Sequence, residues 1–378
     1  MKIVYSAFDG RYGDNPQALY ERMVGRSSAD EHVWLCAPRH AHGFPATVDT
    51  VTLGTDECVA ALQEADLVIA NTHVELEWDK KPGAVYVQTW HGTPLKRVHH
   101  DVLWAPPGRL TRLDRDVARW DYMLSPNAAS TARLRNAFRF TGEMVETGYP
   151  RNDILTSPSQ ELVRARVRSR LGLADDTLAV LYAPTWRDDQ YFTSEGQPVQ
   201  LELDVAKMVS DGGGDRRLLA RLHPLMTERS QLVQQAGVQD VSFYPDMQEL
   251  YLAADVLITD YSSVMFDFAV TGKPMVFYGY DLENYRDQLR GFYFDLEPVV
   301  PGPLVRSTED VLHALNRLPE VELEFAERYA AFRETFCHLE DGRAGERVER
   351  LIDRACRPAT SVERRTSLVD GMAAELIQ

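Results

Sequence analysis

The strongest constraint in this chain is a series of short apolar runs, each ending in a polar or glycine-bearing turn and most followed by a helical stretch. In the first half KIVYSA, HVWLCA, DLVIAN and AVYVQTW read as strands, and NPQALYERMV and DECVAALQEA between them as helices. The runs are too uniformly apolar for a sheet with one wet face, so they predict buried parallel strands whose C-terminal ends open onto a ligand crevice. After a basic, helical stretch, WDYMLSPN supplies another strand and AASTARLRNAF a helix. The same grammar then restarts with TLAVLYAPTW, RRLLARLHP, VSFYP, ADVLITDYSS and KPMVFYG.

At 378 residues the chain exceeds one ordinary core. The Gly/Pro-punctuated crossing VETGYPRNDIL puts a boundary near Gly148 to Asp153. The expected division is an N-terminal Rossmann-like half over 1–150, a C-terminal one over 151–345, and a helix or tail over 346–378. Two such halves facing each other make a two-Rossmann cleft.

Composition removes several classes. A charge of −16 argues against general nucleic-acid binding, and no apolar run is long enough to span a bilayer. The opening MKIVYSAFDG lacks the features of a secretory signal, so a cytoplasmic location is expected. Cys36, Cys58, Cys337 and Cys356 are scattered, with no zinc-type spacing, and read as reduced thiols. Charge is uneven: Lys96 to Arg139 holds nine Lys or Arg against four Asp or Glu, and Arg151 to Arg170 five against two. Such a segment is either a solvated helix face or a surface for anionic lipid or a phosphorylated acceptor.

Chemistry-bearing residues gather at the strand ends. QTWHGTPLK puts His91 beside Gly92 and Thr93 after a strand, and Gly92 and Thr93 are assigned to the acceptor side. In the second half Asp260, Tyr261, Ser262 and Ser263 stand where a strand stops and a helix starts. Such a junction presents backbone N–H groups and hydroxyls to a phosphate, though Ser and Asp also serve as plain helix caps. Thr185, Arg187, Arg221, His223 and Lys273 add donors near the same edge, the set a diphosphate needs. Asp267, one turn beyond Ser263, could accept from a ribose or serve the core. The loop FDGRYGDNP, with Asp14 and Asn15, lacks GxGxxG spacing and is assigned to the acceptor side. Asp114-Arg115-Asp116 is formally a DxD, yet it lies in a basic helical segment rather than after a strand, so no metal is expected there.

Taken together, YVQTWHGTPLK, SPN, TGYPRNDIL, LYAPTWRDD, LHP, ITDYSSVMFDFAVTGKPMVFYGYDLENYRD, RGFYFD and PGPLV resemble the CDP-glycerol glycerophosphotransferases of teichoic acid and capsule synthesis. The resemblance runs from the DNPQALYE helix to about Val305. It implies a GT-B-like α/β fold, CDP-glycerol held mainly by the C-terminal half, and attack of a lipid-linked acceptor's hydroxyl on the β-phosphorus with release of CMP, without a cofactor. It also implies His91 as general base, His223 at the diphosphate, and Ser262 and Ser263 as the serine pair. The lack of a long N-terminal extension adds an expectation of one or a few units transferred rather than a polymer. Peripheral association with the inner face of the membrane is expected with it. A ribitol phosphate transferase using CDP-ribitol and a nucleotide-sugar glycosyltransferase are the competing readings.

Overall fold

A computed structural model describes residues 1–185, 187, 201–211, 216–222 and 237–356. Two wholly parallel sheets organise them. The first contains β1 (Lys2–Ser6), β2 (Glu31–Cys36), β3 (Thr50–Thr52), β4 (Leu67–Ala70), β5 (Val85–Gln88), β6 (Tyr122–Ser125) and β7 (Glu143–Glu146), in the order β3-β2-β1-β4-β5-β6-β7. The second contains β8 (Leu178–Ala183), β9 (Arg216–Ala220), β10 (Val238–Asp240), β11 (Val256–Thr259), β12 (Met275–Tyr278) and β13 (Leu304–Val305), in the order β10-β9-β8-β11-β12-β13.

Both orders reverse beside the first strand of their sheet. Tyr5 pairs with Ile69 across β1 and β4, and Tyr182 with Ile258 across β8 and β11. In open α/β sheets the crevice outside such a switch point is where ligands bind, and there neighbouring connections leave in opposite directions. One lies beyond Ser6 and Ala70, the other beyond Ala183 and Thr259.

The strands are apolar on both faces because both faces are covered. Along β1, Val4 joins a core with Val68, Tyr86 and Phe138, while Ile3 and Tyr5 join another with Trp34, Leu351 and Ile352. The two residues from near the chain's end belong to the helix Ala344–Cys356, which returns to cover the first sheet. Asp153 fixes that return by accepting from the backbone N–H groups of Ala344 and Gly345 at 2.9 and 2.8 Å.

Local differences from the sequence reading concern edges. VSFYP is not a strand: pairing involves Val238–Asp240 just before it. The short edge strands β3 and β7 carry too few apolar residues to announce themselves. The crossing after β7 becomes a 3₁₀ helix, Pro150–Thr156, whose first residues are buried.

Candidate active site

The turn after β5 is built to hold one imidazole. Trp90 lies in the left-handed region at φ 53°, which a side-chain-bearing residue adopts only when its surroundings insist. Here the Trp90 N–H donates to Gln88 Oε1 at 2.9 Å, and its carbonyl accepts from Asn15 Nδ2 at 3.1 Å and Thr89 Oγ1 at 3.0 Å. The His91 ring that follows lies 4.1 Å from the Trp90 ring centroid and 5.5 Å from Phe8. Phe8 is itself held by an N–H bond to Asn71 Oδ1 at 2.8 Å.

His91 Nδ1 lies 2.7 Å from the main-chain oxygen of Asn71. A carbonyl only accepts, so Nδ1 must carry the proton, and the neutral ring keeps its lone pair on Nε2. Burial lowers the pKa below the usual histidine value. The Asn71 carbonyl and Asp14 oppose that shift, and Arg151 reinforces it. The result is a neutral imidazole at pH 7, fixed in one tautomer.

Gly92 brings the two halves of the chain together. A Cβ on it would sit 3.0 Å from Ser263 Oγ, so a side chain there would push Ser263 back by a few tenths of an ångström. Its N–H donates to the Tyr149 hydroxyl at 3.2 Å. Thr93 is buried and accepts from Asn127 Nδ2 at 3.1 Å, and Asn127 also caps the helix Ala128–Phe138. Thr93 therefore supports the turn rather than lining a substrate path.

Across the contact, Asp260 organises the end of β11. Its Oδ1 accepts from the N–H groups of Thr185 and Tyr261 at 2.9 and 2.6 Å, which ties the turn after β8 to the turn after β11. Ser262 and Ser263 stay half-buried at the mouth. Among the described residues Thr185 Oγ1 is buried without a hydrogen-bond partner, and such a group is costly unless a partner satisfies it.

Several expected phosphate donors are already committed elsewhere. Arg187 donates to Asp260 Oδ2 at 2.9 Å, to both oxygens of Asp281 at 2.8 Å and to the Thr185 carbonyl at 2.7 Å, with Tyr285 4.6 Å from its guanidinium. It braces the site instead of binding a ligand. Lys273 is corrected more firmly: it precedes β12, at the end of the sheet remote from the crevice, and its ammonium donates to the carbonyls of Tyr251, Leu252 and Ala254 at 3.0, 2.8 and 2.6 Å. Burial lowers its pKa to about 8. Arg221 spends one nitrogen on the carbonyls of Val241 and Tyr244. Asp267 offers nothing to a ribose, since Arg151 and Asn152 occupy its two oxygens, both at 2.9 Å. His223 lies outside the described residues.

Asp14 and Asn15, assigned from sequence to the acceptor side, belong to a buried polar network. Arg151 donates to Asp14 Oδ2 at 2.6 Å and to Asp267 Oδ2 at 2.9 Å, and its N–H to Asn15 Oδ1 at 3.2 Å. Tyr149, which holds Gly92, donates its own N–H to Glu340 at 3.1 Å. Glu340 is a buried carboxyl whose pKa burial pushes up to about 8. Asn71, Tyr149, Arg151 and Asn152 are the site residues missed from sequence. The last three lie in TGYPRNDIL, which reads as a crossing and as one motif of the resemblance without a role for its residues; an Arg set among Gly and Pro is the usable signal.

The sequence pattern of the family described as CDP-Glycerol:Poly(glycerophosphate) glycerophosphotransferase matches residues 1–354. The chain is 37% identical over 367 residues to the teichoic acid poly(glycerol phosphate) polymerase of Bacillus subtilis (strain 168), covering 93% of this chain and 48% of that one. It thus spans about half the length of that relative. It is also 37% identical over 360 residues to the teichoic acid glycerol-phosphate transferase of Staphylococcus aureus (strain NCTC 8325 / PS 47), covering 93% and 92%. Its structure superposes on that of the wall teichoic acid polymerase TagF with a TM-score of 0.87 and 34% identity, over 94% of this chain and 89% of that one. The α/β fold is GT-B-like, as expected.

Proposed function

The chain belongs to the CDP-Glycerol:Poly(glycerophosphate) glycerophosphotransferase family, and on that premise we propose that it moves glycerol phosphate from CDP-glycerol to a hydroxyl of a lipid-linked acceptor. His91 Nε2 takes the hydroxyl proton, the freed oxygen attacks the β-phosphorus, and CMP leaves with the electron pair of the broken P–O bond. An alcohol is a weak nucleophile until a base near neutral pKa relieves it of its proton, and a neutral, tautomer-fixed imidazole supplies that base. The leaving phosphate needs electrostatic help more than a strong acid. Ser262, Ser263 and the unpartnered Thr185 hydroxyl are the groups proposed to meet the diphosphate, with Asp260 and Arg187 fixing their positions.

One observation supports this reading above the others: Gly92, the neighbour of His91 in the chain, approaches Ser263 so closely that a Cβ on it would lie 3.0 Å from Ser263 Oγ, at the second sheet's switch point. The test is to incubate the chain with CDP-glycerol, CDP-ribitol or a nucleotide sugar and a panel of lipid-linked disaccharides, then weigh the products. CMP release with an added mass of glycerol phosphate, from CDP-glycerol alone, is the expected result. Transfer only from CDP-ribitol or from a sugar nucleotide would replace this reading with one of its competitors.

Membrane contact is the finer part of the proposal. Among the described residues no helix is long and apolar enough to cross a bilayer. Leu103 and Trp104 are 48% and 76% exposed, just before the basic helix Arg109–Val117. Arg109 and Arg112 are paired with Glu75, and Arg115 with Glu77, so the helix's field is partly cancelled. The aromatic and aliphatic tips are therefore assigned the larger share of lipid binding, with modest salt dependence. Liposome sedimentation should show Leu103→Ser/Trp104→Ser losing most binding while soluble-acceptor turnover persists. Unchanged sedimentation would remove the membrane reading.

A further inference from the structure

We propose that His99, His100 and Asp114 form a binding site for a zinc-class divalent cation, one that favours imidazole nitrogen. The three residues come from two elements, the 3₁₀ turn His99–Asp101 and the helix Arg109–Val117. One ligand atom from each lies within 4.8 Å of the others. Asp114 Oδ1 is 2.8 Å from His100 Nε2 and 3.9 Å from His99 Nε2. Ligands at about 2.0–2.1 Å from a tetrahedral metal stand about 3.3 Å apart, so the two observed edges bracket the requirement and each needs a shift of about 0.5 Å.

A second observation points the same way. The His99 side chain is 1% exposed, yet among the described residues neither of its ring nitrogens has a partner in full hydrogen-bond geometry, with the Ala137 carbonyl close by. It is clamped flat against His73, with centroids 5.2 Å apart and planes 16° apart, and against Phe138 at 4.7 Å. Its backbone lies in the left-handed region at φ 49°. A buried imidazole held inward without a well-formed hydrogen bond is free to turn a ring nitrogen to a cation.

Burial lowers the His99 pKa to about 4, with His100 acting in the same direction; Asp114 and the nearby Ala137 carbonyl offset this only partly. Asp114, 43% exposed on its side chain, is the entrance.

Two imidazoles and one carboxylate suit Zn²⁺, Co²⁺ or Ni²⁺ and leave a fourth position for water, whereas Mg²⁺ and Ca²⁺ prefer all-oxygen shells. The formal DxD contributes only its first member. Asp116 Oδ2 already accepts from Val74 N–H, Tyr86 and Trp120 at 3.0, 3.2 and 2.9 Å. A bound cation would staple the turn after the His91 motif to the basic helix, closing the loop that carries Leu103 and Trp104. The site uses none of the residues assigned to the transfer chemistry and does not depend on the proposed donor.

The test is titration of the chelator-treated full chain with Co²⁺, followed by visible absorption and then by competition with Zn²⁺. One Co²⁺ per chain with four-coordinate bands, displaced by Zn²⁺, is expected. His100→Gln and Asp114→Asn should each weaken binding by more than about tenfold, since even outer-shell partners of a metal are worth that much. Both lie at the surface side of the cluster, and unchanged circular dichroism and melting of the metal-free variants would verify their fold. No Co²⁺ uptake by the unaltered chain, or a loss of less than about tenfold in either folded variant, overturns the proposal.

Discussion

His91→Ala should lower kcat for glycerophosphate transfer by about 10²–10⁴-fold, the range a positioned general base supplies, while leaving CDP-glycerol binding close to that of the unaltered chain. The split follows from the geometry: the imidazole belongs to the first sheet's turn and is anchored to Asn71 at 2.7 Å, whereas the proposed donor groups stand on the second sheet. Loss of the base removes an interaction made with the acceptor in the transition state. The pH profile supplies a further readout. Protonated His91 cannot take the acceptor's proton, so kcat/KM should fall as pH drops through its pKa. Burial lowers that pKa, so the acid limb should lie below the usual histidine value of 6.5. Calorimetry with CDP-glycerol and initial rates from pH 5 to 8 would check both parts. Near-normal turnover by the variant would remove His91 from the chemistry.

The position of the candidate site was legible in sequence where polar residues follow a buried strand. His91, Gly92, Asp260, Ser262 and Ser263 follow apolar runs whose burial fixes the strand, and a switch point sits at their ends. What sequence could not give was the destination of long charged side chains. Arg187 and Lys273 looked like equivalent phosphate donors, yet Arg187 is consumed by two carboxylates from different turns and Lys273 caps a helix end on the far side of the sheet. Spacing along a chain cannot report such pairings, because the partners are 73 and 94 residues away for Arg187 and 19 to 22 for Lys273. The same holds for His99, His100 and Asp114, whose convergence depends on how the loop between them folds back. Edges were weakest: β3 and β7 pair through the backbone while presenting Thr and Glu, so no apolar alternation marks them.

Arg151→Met should destabilise the folded chain by about 3–5 kcal/mol, because it removes one partner of a buried charge network and leaves the others facing each other. The Arg151 side chain is 6% exposed and lies between Asp14 and Asp267, each 11% exposed. Without the guanidinium, two desolvated carboxylates remain close, and at least one must take up a proton for the fold to persist. Asp14 comes from the helix after β1 and Asp267 from the helix after β11, so the lost group also joins the two sheets at the level of the His91 turn. Loosening that joint should widen the Gly92 to Ser263 approach and depress turnover beyond what the unfolded fraction explains. Denaturant melts at pH 5 and pH 8 would separate the causes. The variant should be relatively less unstable at the lower pH, where a proton replaces the missing cation more readily, and Arg151→Met/Asp267→Asn should recover part of the loss at pH 8 by removing one of the stranded charges. A melting midpoint within error of the unaltered chain at both pH values would show that the network contributes little.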